Sequence, residues 1–234
     1  MRSMTVAIID PPSGTRFRRQ ILLTAIAFML VALVFVLLDA GRSDRLSKAT
    51  AYVGLLYLAI TLIIGPLNVL RAAPNPPSTF LRRDFGIIAG ILALLHTFLG
   101  LQVHMRGDFA QYFFYRTPAG LGTMRFDVFG ITNYLGLVAA LIILVLFCIS
   151  NNLSIRKIGS NRWKRIQRWN YIGAVFVVVH GLLYQVIEQR RLGFIAYVLG
   201  VGAIAATVQF LGFRRRGEQL ARHPEALVRE FRSK

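Results

Sequence analysis

Of the four histidines in this 234-residue chain, His96 and His180 stand inside long stretches free of Asp, Glu, Lys and Arg. An ionisable group at membrane depth is costly and marks a functional site by default. Imidazole is also the commonest side-chain ligand of transition metals. Two residues on different helices can share a ligand only at one level of the bilayer, and helix rise tests this. His96 is 12 residues beyond Asp84, roughly 18 Å, and His180 is 11 residues beyond Trp169, roughly 16 to 17 Å. Both helices run in the same direction, so the two rings reach nearly one depth, where a metal or a haem iron could take a nitrogen from each. The other reading of two such histidines is a hydrogen bond between helices. Gly86, Gly90, Gly100, Gly173 and Gly181 leave room for a flat macrocycle, and Phe98, Phe176 and Tyr184 can line its faces. His223 lies in the tail. His104 belongs at the outer end of its helix, where it can shuttle a proton, contact a propionate or face water.

Other chemistries lack their residues. The single cysteine, Cys148, rules out an internal disulfide framework and a cysteine-ligated zinc or iron–sulfur site within the chain, and is expected as a packing residue. No Gly-x-Gly-x-x-Gly follows a strand, and there is no Walker sequence or His-Glu-x-x-His.

The elements that must position the histidines follow from composition. Hydrophobic residues make up 55% of the chain and charged ones 16%, too apolar for an ordinary soluble domain. Charge-free stretches at 21–38, 51–70, 85–103, 128–150, 169–187 and 192–213 are each near the 20 residues that cross a bilayer. The expectation is an all-α bundle of six transmembrane helices. A segment at 1–20 precedes the membrane domain (21–213), and a basic tail at 214–234 follows it. The first span is too long for a signal-peptide core and is expected to remain in the mature protein. Pro66 should kink the second span, and the Pro-rich run 73–77 should turn the chain.

The formal charge of +18 is a matter of topology. With the N-terminus inside, the inner segments hold 20 Lys and Arg and the outer ones 8, so both termini are expected in the cytoplasm of a bacterial inner membrane. The bilayer, and not nucleic acid, is the expected partner. The tail can also lie on anionic lipid as an amphipathic helix. Gln111-Tyr112-Phe113-Phe114-Tyr115, flanked by Arg106, Arg116 and Arg125, reads as an aromatic belt.

The run Arg82-Arg83-Asp84-Phe85-Gly86, His96 ten residues on, Trp163, and a span opening Trp169-Asn170-Tyr171 and reaching His180-Gly181 together resemble the ferric reductase-like transmembrane domain family. Within it the chain is most similar to the haem-binding membrane subunit of the periplasmic methionine sulfoxide reductase system. The likeness covers about 47–187 and includes Gly65-Pro66-Leu67 and Phe129-Gly130-Ile131. It implies a b-type haem with His96 and His180 as axial ligands, and electron transfer to an extracytoplasmic reductase partner or a small acceptor. A membrane ferric-chelate reductase component would use the same haem, whereas a structural or assembly protein would use the histidines only as bridges. Arg106 and Arg125 would neutralise haem propionates. Arg82, Arg83, Trp163 and Arg168 would surround a donor that is quinol, flavin or a separate reductase.

Members of that group often carry a histidine 13 residues before the equivalent of His180, where this chain has Gln167. One haem is therefore expected. Pyridine haemochrome analysis against protein concentration should give a ratio close to one, and a ratio of two would mean that another residue completes a second site.

Overall fold

The computed structural model describes residues 13–71, 79–190 and 192–222. Six helices in it are long and apolar enough to cross a membrane. They are α1 (Ser13–Leu37), α2 (Arg42–Arg71), α3 (Thr79–Val103), α4 (Val128–Cys148), α7 (Trp169–Ile187) and α8 (Leu192–Arg222). Two short helices, α5 (Asn152–Ile158) and α6 (Ser160–Gln167), cross the basic segment between α4 and α7, turning at Gly159 where φ is +84°. The chain is a multi-pass membrane protein. The ends bearing Arg82 and Lys164 are called inner, following the charge count, and the opposite ends outer. The Pro-rich run and His223 lie outside the described residues.

Helix α2 is the hub: it packs along α3 and α8 and against α1, while α4 packs along α7. Small residues permit these approaches. Gly54 of α2 faces Leu92 of α3, where a Cβ would lie 3.4 Å from the Leu92 Cβ, and Gly90 of α3 faces Phe147 of α4 at 3.0 Å. Ala27, Val53, Tyr57, Leu58, Ile88, Ala89 and Leu92 form the apolar core joining α1, α2 and α3. At the inner end Asp84 is fully buried. It accepts hydrogen bonds from Arg19 Nε (2.8 Å) and Gln20 Nε2 (3.4 Å) and lies 3.6 Å from Arg16 Nε. Two arginines that count toward topology thus also neutralise a buried carboxylate and fasten α1 to α3.

Pro66 sits inside α2 and leaves the Leu62 carbonyl without its helical partner. Gln209 of α8 donates its Nε2 to that oxygen at 2.7 Å. The approach depends on Gly212, where a Cβ would fall 2.6 Å from the Pro66 Cβ. Helix α8 continues to Arg222, so the expected basic tail begins as an extension of the last span.

The outer loop departs from an all-helical chain. Short helical turns at Met105–Gly107 and Phe109–Tyr112 lead into an antiparallel hairpin, Phe114–Thr117 with Gly120–Met124. Tyr112 is not a belt residue: it is 1% exposed. Its hydroxyl accepts from the His104 N–H (2.9 Å) and lies 3.0 Å from the Gly100 carbonyl, closing the open end of α3. Asp127 caps α4 by accepting from Gly130 N–H.

Replacing Gln209 with Leu should strand the Leu62 carbonyl and cost about 1 kcal/mol. In the background of Pro66→Ala, which restores the helical N–H, the same replacement should cost nearly nothing. Denaturation of the four variants in one detergent measures the cycle; equal costs in both backgrounds would show that Gln209 does not act by satisfying the carbonyl that Pro66 frees.

Candidate functional site

His96 on α3 and His180 on α7 meet as the equal depths require, with ring centroids 6.2 Å apart and planes 70° apart. Each is held from behind. His96 Nδ1 lies 2.9 Å from the Ser47 carbonyl of α2 and 3.2 Å from the Ser47 hydroxyl. His180 Nδ1 lies 2.8 Å from the Thr132 carbonyl of α4. A carbonyl can only accept, so both Nδ1 atoms carry the proton and both Nε2 atoms keep their lone pairs. That tautomer, with the second nitrogen tied to a backbone oxygen, is the one a metal-ligating histidine needs.

Space at the rings comes from glycine. A Cβ at Gly136, four residues after Thr132 on α4, would fall 2.6 Å from Cε1 and Nδ1 of His180. Gly100, one turn beyond His96, lies under the other ring, where a Cβ would be 3.8 Å from His96 Cε1. Both histidines line a cavity of about 680 Å³ that extends toward both ends of the bundle. The ring separation fits a metal between two imidazoles. With both Nδ1 atoms on backbone oxygens and both rings on one cavity, His96 and His180 are the residues that would hold such a group.

Toward the inner end the cavity is lined by Arg82, Arg83, Trp163, Gln167 and Arg168, so the four residues expected around a donor do share one space. Trp163 is fixed by its indole N–H to the Ile149 carbonyl (2.9 Å), and Gln167 Nε2 lies 3.4 Å from Ser150 Oγ. Of the expected glycines, Gly86, Gly90, Gly100 and Gly181 line the cavity, whereas Gly173 packs against Ile142. Of the expected aromatics only Tyr184 lines it. Phe98 is 62% exposed and faces away from the bundle. Cys148 is exposed and not a packing residue.

At the outer end the arginine expectation changes. Arg125 is held by Asp127 (2.9 Å) and the Gln111 carbonyl (3.1 Å), lies over the Phe129 ring, and does not line the cavity. The Arg106 side chain lies outside the described residues. The cations that do line the outer end are Lys48 and Arg190, which the sequence reading passed over. In the sequence Arg190 counts only toward topology, and Lys48 lies before the apolar part of α2. Both reach Glu188, at 3.0 Å from Lys48 Nζ and 2.6 Å from Arg190 Nη2, and Glu188 also lies 3.4 Å from His104 Nε2. Burial pushes the Glu188 carboxyl up, but the His104 hydrogen bond and the Arg190 charge and bonds overcome this and hold it at about 2. Arg190 Nη1 also donates to the Tyr52 hydroxyl at 2.9 Å. His104 stacks on Tyr184 with centroids 6.0 Å apart.

No protein-family model matches the chain. Over 128 residues it is 29% identical to magnetosome protein MamZ of Magnetospirillum gryphiswaldense. That match covers 54% of this chain and 18% of the relative, so the likeness spans less than a fifth of that protein's length. The chain is a multi-pass membrane protein distantly related to this bacterial protein.

Proposed function

We propose that the chain is a b-type haem-binding electron-transfer protein of the membrane, with His96 and His180 as the axial ligands. The observation that carries the reading is the pair of imidazoles 6.2 Å apart, each with Nδ1 on a backbone carbonyl and each lining one cavity. A bound haem supplies one-electron relay. The chain's residues supply the rest. Ser47 and Thr132 orient the imidazoles, and Gly136 and Gly100 keep the space beside the rings open. Lys48 and Arg190 line the outer end, each paired with Glu188. Arg82, Arg83, Trp163 and Arg168 line the inner end, where a quinol, a flavin or a separate reductase would give up its electron. An extracytoplasmic reductase partner or a small acceptor such as a ferric chelate would take it on the outer side.

One observation favours a second reading, a structural membrane protein without redox chemistry. Each histidine already joins two helices through Nδ1, α3 to α2 and α7 to α4. That role leaves unexplained why both rings also line a common cavity.

A visible spectrum separates the two. The purified protein should show sharp reduced α and Soret bands of low-spin haem. His96→Ala and His180→Ala should each abolish them, and His223→Ala should not. Gly136→Ala should lower haem content with both histidines in place, because its methyl would fall on the His180 ring. Full haem retention in both histidine variants would sink the assignment.

Nicotinamide cofactor alone should leave the haem oxidised, since the described residues form no dinucleotide-binding domain. Rapid reduction by nicotinamide cofactor in a reductase-free preparation, followed at the α band, would require a donor site in the chain itself.

A further inference from the structure

The helices that carry the two proposed ligands meet a second time. His104 is eight residues beyond His96 and Glu188 eight residues beyond His180, and their side chains lie 3.4 Å apart. This places an acid–base pair roughly 12 Å outward of the ligand pair by helix rise. Its surroundings are charged but balanced. Lys48 of α2 and Arg190 of the α7–α8 loop hold the far side of Glu188, and Asp44 pairs in turn with Lys48. Tyr184 stacks on His104 and packs edge-on against His180 with centroids 5.0 Å apart, so one ring stands between the outer histidine and the inner one. Tyr112 bonds the His104 backbone, and Phe129 closes the remaining edge. On its own loop Asp108 is held by Arg116 and Gln111. The His104 side chain remains 32% exposed and lines the outer end of the cavity.

Glu188 is ionised throughout the neutral range, so it can hold either a neutral imidazole or an imidazolium. Adding an electron to the site between His96 and His180 makes that site more negative by one charge. The group best placed to take a compensating proton is His104, whose cationic form Glu188 accepts without rearrangement.

We infer that His104, held by Glu188, is the proton-exchanging residue of the outer half: it takes a proton from the outer phase when the bound haem takes an electron and releases it on reoxidation. The inference rests on the haem reading above. The electron comes from the donor, the proton from bulk water, and no bond other than the N–H of His104 forms or breaks. Charges about 12 Å apart at an effective dielectric constant of about 20 shift a protonation equilibrium about tenfold. A positive His104 favours the reduced state, so the midpoint potential should be higher at low pH.

Spectroelectrochemical titration of the purified protein between pH 5 and 8 tests this. The wild-type potential should fall with rising pH, and His104→Gln should flatten the profile while keeping the low-spin bands. A pH-independent wild type, or a slope that survives in His104→Gln, would overturn the inference with the haem reading intact. Should His104→Gln lose its haem, proton uptake by the wild type decides. Reduction in weakly buffered solution with an indicator dye should take up a fraction of a proton per electron, and zero uptake overturns the proposal. A wild type without low-spin bands would remove the haem reading and this inference together.

Discussion

An imidazole at membrane depth must have both of its nitrogens accounted for, and the bundle is arranged around that requirement. A helix has no spare donors or acceptors in its interior except carbonyls whose surroundings let a second group approach. Ser47 and Thr132 provide two such oxygens, one on α2 and one on α4. The intimate helix pairs of the fold are those that carry these bonds, α2 with α3 and α4 with α7. Each pair thus aims one histidine, and the cavity is the space left between the pairs. Glycine completes the arrangement: a methyl at position 136 would occupy the place of the His180 ring. Because Nδ1 is used for positioning, Nε2 is the atom left for chemistry.

Buried charge is handled in the same way at both ends. Asp84 at the inner end and Glu188 at the outer end are each surrounded by cations, Arg16 and Arg19 of α1 in one case, Lys48 of α2 and the neighbouring Arg190 in the other. Removing one partner from such a cluster leaves an uncompensated charge, which costs far more than the cluster gains as a whole. The two clusters therefore fix helix ends more than they stabilise the bundle. Asp84 locks α1 onto α3, and Glu188 locks the end of α7 onto α2. Both helices bearing the central histidines are restrained at one end by a charged cluster and in the middle by a carbonyl, which makes their relative height hard to change.

Much of this was readable in the sequence, because charge-free length gives the spans and helix rise gives depth. The meeting of His96 and His180 needed only counting from Asp84 and Trp169. Counting failed at the helix ends. Helix α2 begins at Arg42, nine residues before the apolar stretch, since Asp44 and Lys48 pair within it and can enter the helix at little cost. Ser47, which orients His96, was hidden by that early start. Gly136 and Thr132 were hidden for a different reason: glycine and threonine in an apolar span carry no local mark of what packs on them. Phe98 is expected on a face of the cavity and Arg125 at a propionate, yet the first faces away from the bundle and the second is held by Asp127 in the outer loop.

The cavity is longer than the ligand pair requires, and its two halves differ in kind. The outer half is closed by a charge-balanced cluster in which each cation faces a carboxylate. The inner half is lined by Arg82, Arg83, Lys164 and Arg168 with Trp163 and Tyr171, and its buried acid, Asp84, is turned toward α1. Gln167 also lines this half, and its amide lies 3.4 Å from Ser150 Oγ. Such a half suits an anionic or aromatic group. On the proposed reading an electron therefore passes from a molecule seated among arginines to one fixed centre, and leaves through a region where charge is already matched. On that reading the asymmetry of the lining, and not any difference between the two histidines, would give the site a direction.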